Sequence, residues 1–245
     1  MKTLFLAWQN PVSDAWFPIG RLSFDGKRYQ FVYTQGVIAA QQQCGFQLLS
    51  SFPDLDRVYE SPELFPLFTN RLLRRSRPDY ADFMQWLNLP IDEDDPIAIL
   101  ARSGGQRVTD NLEVFPYLEP DENGVYHLHF FAQGLLNLSP ETGDRISRLQ
   151  TGEALHLVCS MDSHALRTED RYLVGYCPRY LLDNLLEVLR QYPEQVKVKV
   201  DRVNPPPTPL QLRLLCHLKA HLPSGFHLFS NAMYQPLRSL AFSEA

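Results

Sequence analysis

The amino-acid sequence predicts an α+β protein in two parts: a mixed β-hairpin and helical domain over residues 1–122, then a small barrel-like β-sheet with packed helices over 123–245. Three observations carry that prediction. Runs rich in β-branched and aromatic residues read as strands. Stretches whose apolar residues recur at three and four read as helices. A cluster of breakers and acids, Glu119-Pro120-Asp121-Glu122-Asn123-Gly124, lies near a shift in formal charge, from net −6 over residues 1–138 to +1 over 139–245.

Segment 3–8 reads as the first strand. Met1-Lys2-Thr3 begins like a secretory leader, but Gln9, Asn10 and Pro11 cut the apolar stretch short and no small-residue cleavage site follows. Segments 17–24 and 28–34 flank Asp25-Gly26, a strong hairpin signal. From Ser61 the period becomes helical, with Leu64, Leu67, Phe68 and Leu72 expected inward and Arg71, Arg74 and Arg75 wet. Ser61-Pro62-Glu63 supplies a capping hydroxyl and a first-turn proline. A second helix with Phe83, Trp86 and Leu87 follows a break near Ser76-Arg77-Pro78. Asp92-Glu93-Asp94-Asp95 stands before Pro96 and an apolar run, where carboxylates favour a helix start. Ser103-Gly104-Gly105 ends that helix, and since no G-K-[ST] follows, it is not a phosphate loop. The remaining expectations are strands 111–118 and 125–132, helix 143–149, strands 154–160 and 172–176, helix 179–190, strand 195–203, loop 204–209 and strand 210–218. Val196, Val198 and Val200 alternate with Lys197 and Lys199, so one face of that strand is dry and the other charged.

A composition of 44% hydrophobic and 12% aromatic residues fills a core and argues against disorder. No apolar run approaches the roughly 20 residues that span a bilayer, so no membrane segment is expected. Cys44, Cys159, Cys177 and Cys216 contain no C-x-x-C pair and read as free thiols of a reducing cytoplasm. His127 and His129 share one strand face, while the i,i+4 pair His217 and His221 would suit a metal only on a helix with a third ligand. No cofactor or metal is expected. Without G-x-S-x-G, H-E-x-x-H or a Cys–His motif in a known setting, the chain reads as non-catalytic. Its net charge of −5 is unlike that of a protein holding duplex DNA through many phosphates, so any nucleic-acid contact should be local.

Three stretches in order resemble the HIRAN family: Phe130-Phe131-Ala132-Gln133-Gly134, the segment from Leu149 to Leu157 (LQTGEALHL), and the segment from Leu173 to Leu181 (LVGYCPRYL). A family loop follows the second of these. Here it reads Cys159-Ser160-Met161-Asp162-Ser163-His164-Ala165-Leu166, with Asp162, Ala165 and Leu166 in agreement and the family's Asn and Pro missing. In one eukaryotic member that loop and its neighbours hold the 3′ hydroxyl end of single-stranded DNA. The resemblance therefore implies a nucleic-acid site of Met161, Asp162, His164, Tyr176 and Arg179, with Asp162 accepting from a terminal hydroxyl and Arg179 meeting phosphate. Leu136-Asn137-Leu138 stands where the family's stacking rings would be, and Met161 replaces another aromatic. Because stacking is worth roughly 1–3 kcal/mol per base, the implied binding is weak.

The first part is similar in order to the N-terminal subdomain of HipA-type kinases, through Ile19-Gly20-Arg21-Leu22, Tyr29 to Thr34, Ser51-Phe52-Pro53 and Phe65 to Leu72. No kinase core follows, so that likeness implies a docking or regulatory surface. Arg71, Arg74, Arg75 and Arg77 form the densest basic run in this part, a candidate secondary patch for phosphate backbone; the alternative is a solvated helix end. The function expected from the whole sequence is a non-catalytic, cytoplasmic module for short single-stranded DNA or 3′ ends. The alternative is a protein-interaction or regulatory subunit of a larger bacterial complex.

Overall fold

The computed structural model describes residues 1–107, 109–160, 163–222 and 225–238, without the side chains of residues 183 and 187. The fold is α+β and divides into two compact units. Unit 1 comprises residues 1–77, 93–117 and 229–245, and unit 2 comprises 78–92 and 118–228. The chain thus passes between units at Tyr117–Leu118, beside the predicted cluster of breakers, and also at residues 77–78, 92–93 and 228–229.

Unit 1 is built on a five-stranded antiparallel sheet of β1 (Lys2–Gln9), β2 (Trp16–Phe24), β3 (Tyr29–Tyr33), β4 (Tyr59–Ser61) and β5 (Leu112–Pro116), in the order β4-β3-β2-β1-β5. The β2–β3 hairpin turns where Asp25-Gly26 predicted, the Asp25 carboxylate accepting the amides of Lys27 and Arg28, each at 2.7 Å. In β1 the run from Thr3 to Ala7 is buried without alternation because both sheet faces are covered. Leu4 and Leu6 join Ile19, Phe31, Phe52 and Phe68 on one side. On the other, Phe5 meets Phe115 and the C-terminal rings Phe229 and Tyr234 at centroid distances of 5.2–5.9 Å.

Helix α1 (Gly36–Cys44) was not legible, since its buried residues, Val37 and Ala40 after Gly36, make only a narrow stripe. The helix expected from Ser61 is corrected: Ser61 ends β4, and helical backbone covers only α2 (Pro66–Thr69). The Thr69 hydroxyl donates to the carbonyls of Leu64 and Phe65, and the amides of Arg71 and Leu72 close onto residues three back, so the chain tightens instead of continuing. Phe68 is nevertheless fully buried. Helix α4 (Pro96–Ser103) begins and ends as read, with the Asp95 side chain capping Ile97 N and Gly104 left-handed at the C-cap.

Unit 2 contains α3 (Tyr80–Trp86), β6 (Val125–Phe131), α5 (Pro140–Ser147), β7 (Ala154–Cys159), β8 (His164–Arg167), β9 (Leu173–Tyr176), α6 (Leu182–Gln191), β10 (Val196–Val203) and β11 (Leu214–His221). Its six strands form one antiparallel sheet in the order β6-β11-β10-β7-β8-β9. The sheet curls like a half-barrel. Strand β8 lies in a segment read as loop, too short and too mixed in polarity to reveal a period. Helix α3 docks on the end of β10, where the Asn204 amide donates to Trp86 O at 3.0 Å and Asn88 donates to Asp201 at 3.1 Å.

Candidate nucleic-acid interface

The corner implied by the family resemblance forms where the curled sheet nearly closes. Gln133, just past β6, bridges Tyr176 at the end of β9: Gln133 N donates to Tyr176 O at 2.9 Å and Tyr176 N to Gln133 O at 3.0 Å. Two glycines permit this approach. Gly175 sits at φ +141° with its α-carbon against Ala132, where a Cβ would come within 2.9 Å of the Ala132 methyl. Gly134 sits at φ +77° under the Tyr176 ring, where a Cβ would come within 2.8 Å of the ring edge. A side chain at Gly175 would press on the Ala132 methyl and the Gln133 carbonyl, and one at Gly134 would displace the Tyr176 ring.

Beyond Tyr176 the chain enters a single 3-10 turn, Arg179–Leu181, that runs directly into α6. Tyr176 is half-buried and Arg179 is exposed. Leu181, the last residue of that turn, gives α6 no side-chain cap, and the amide of Leu182 already donates to the Arg179 carbonyl. A guanidinium and a phenol therefore stand at one corner, a donor pair suited to a phosphate or terminal hydroxyl.

His164 is corrected as a contact residue. It is 1% exposed, its Nε2 lies 2.9 Å from the Leu182 carbonyl, and its own carbonyl accepts from Cys177 N. Enclosed in this way, it ties β8 to the start of α6 and positions the corner. Met161 and Asp162 lie outside the described residues. Leu136 is 81% exposed at the position lacking a ring.

Three of the four arginines of the basic run in unit 1 are exposed and one is not. Arg71 is buried, donating to Gly105 O at 2.8 Å and to the Asp110 carboxylate at 2.6 Å, which corrects the expectation that it stays wet. Arg74, Arg75 and Arg77 are exposed, as expected for the first two, with Arg75 donating to the Glu93 carbonyl at 2.7 Å. The cysteines are free thiols, with Cys177 and Cys216 buried and their ionisation pushed well up by desolvation, which makes them poor nucleophiles.

A histidine cluster that sequence reading did not assemble lies on β6 and β11. His127 Nε2 is 3.1 Å from the Asp121 carboxylate, its Nδ1 is 3.1 Å from His217 Nε2, and the His217 and His129 rings stack in parallel at 4.1 Å. The only sequence signal was the His127/His129 alternation; the third member joins through strand pairing. Among the described residues no group of three or more side chains is arranged to hold a metal ion, and no helix is long and apolar enough to cross a membrane. No family model, curated protein or solved structure matches the chain.

Proposed function

We propose that this chain is a non-catalytic, cytoplasmic nucleic-acid-binding protein whose second unit engages short single strands or their 3′ ends at the corner between β9 and α6. The observation that carries the reading is the meeting of β6 and β9 through the Gln133–Tyr176 bridge, which brings the half-buried Tyr176 ring and the exposed Arg179 to the start of a helix without a side-chain cap. Free thiols at all four cysteines agree with a reducing compartment.

The test is fluorescence polarisation at low salt with single strands ending in 3′ hydroxyl or 3′ phosphate, and with blunt duplex. Affinity is expected in the micromolar range, because the absent rings forgo roughly 1–3 kcal/mol per base. Arg179→Ala should weaken all single strands alike, whereas Asp162→Ala should erase any preference for a free 3′ hydroxyl. If no oligonucleotide binds, the nucleic-acid reading fails and the docking or regulatory role implied for the first unit takes its place.

A further inference from the structure

Strand pairing in unit 2 aligns a row of basic side chains across five neighbouring strands. His127 on β6 lies opposite Lys219 on β11, and Lys219 lies opposite Lys197 on β10. Val198 pairs with Leu155, so Lys197 falls beside His156 on β7 one step along the same antiparallel ladder. His156 lies opposite Arg167 on β8. All five are on the outer face: the residues alternating with them, among them Leu128, Leu218, Val198, Leu155 and Leu166, are buried. With strands about 4.8 Å apart, the row runs about 19 Å across the sheet. A second row beside it holds His129, His217 and Lys199 in register.

Folding does not account for this arrangement. Like charges directly opposite each other in a sheet are destabilising. Lys197, Lys199, Lys219 and Arg167 have no ion pair among the described residues, and the nearby carboxylates Asp121 and Asp201 lie at His127 and His129 instead. At its β7–β8 end the row opens into a hollow of about 360 Å³ lined by His156, Val158, Arg167, Thr168, Glu169 and Arg171.

We infer that this row is a track for the phosphate backbone of single-stranded nucleic acid crossing the strands of the sheet. It shares with the corner reading the premise that the ligand is a single strand, and it adds the surface along which that strand runs. The charges of Lys219, Lys197 and Arg167, all on one face, suit a chain of single negative charges. His217 is stacked between His127 and His129, so the imidazole open to an unstacked base is that of His156, exposed between Lys197 and Arg167, a feature that an acidic peptide would not use.

The test compares the whole protein with the triple variant Lys197→Gln, Lys219→Gln, Arg167→Gln, and with a charge-matched control, Lys27→Gln, Arg107→Gln, Arg190→Gln, drawn from exposed positions off the row. Binding of a labelled 12-nucleotide single strand is measured over a salt series, with polyglutamate as competitor. The row variant should lose at least about tenfold in affinity, and its log–log salt slope should flatten by about 2, as expected for three fewer phosphate contacts on a single strand. Its melting temperature should hold or rise, because opposed like charges have been removed. Equal losses in the control would assign the effect to net charge and overturn the track. So would an unchanged row variant in a protein that still binds strands at the corner, in which case only the Arg179→Ala effect survives. Displacement by polyglutamate at a matching concentration of charge would point to an acidic protein partner instead. Absence of all oligonucleotide binding would sink the track and the corner together.

Discussion

Glu113 on β5 shows how far a single residue's environment can move it from its ordinary chemistry. Desolvation raises its carboxyl to about 7, although a hydrogen bond from Gln106 pulls the other way. A carboxyl whose folded pKa lies above its unfolded value holds its proton more tightly when folded. Stability is therefore fully present below about pH 4.5 and declines as pH rises toward 7. The decline amounts to about 3 kcal/mol at most over that window. Glu113→Gln should abolish this component, giving a variant that melts above the parent at pH 8 and level with it at pH 4.5. Parallel melting curves for the two proteins across that range would show that Glu113 ionises without penalty. Arg71 carries the complementary lesson. In sequence it belongs to a basic run, yet its guanidinium reaches Gly105 and Asp110 across more than thirty residues, and no local pattern encodes such a reach.

At the scale of elements, Arg145 on α5 fastens that helix to the sheet of unit 2. It donates to Asp170, in the β8–β9 turn, at 3.0 Å and to Glu153, just before β7, at 2.6 Å. The Arg145 contact holds the Asp170 carboxyl down at about 2 and lowers that of Glu153 against the opposing effect of desolvation. Groups depressed in this way contribute stability that is present above their unfolded pKa and lost as pH falls through the folded one. Arg145→Ala should lower the melting temperature at pH 7, with the gap to the parent closing as pH approaches 2. An NMR titration should at the same time return Asp170 toward the ordinary aspartate range near 3.9. A gap independent of pH would mean that the guanidinium acts through packing alone.

At the scale of the whole molecule, the chain order and the compact units do not coincide. Residues 78–92 belong with unit 2, and the segment from Phe229 belongs with unit 1. A fragment of residues 1–118 would lack Phe229 and Tyr234, whose rings cover Phe5 and Phe115. It should melt non-cooperatively, and adding a peptide of residues 225–238 should restore part of the transition; a sharp melt of the fragment alone would show that this face of the sheet needs no cover. Much of the architecture was legible in the sequence, because hairpin and capping signals act within a few residues: Asp25-Gly26 turns the chain through its own side chain, and Asp95-Pro96 starts a helix by the same local chemistry. The alternation of valine with lysine in β10 likewise announced a dry face and a charged one. What only the tertiary structure decided are the relations between distant segments. These include the burial of Arg71 and His164, the Gln133–Tyr176 closure, and the alignment of His127, Lys219, Lys197, His156 and Arg167 across five strands. The physical reason is that a side chain's face is fixed by its own strand's two-residue period, whereas its neighbours across the sheet are fixed by register, which depends on the pairing of whole strands.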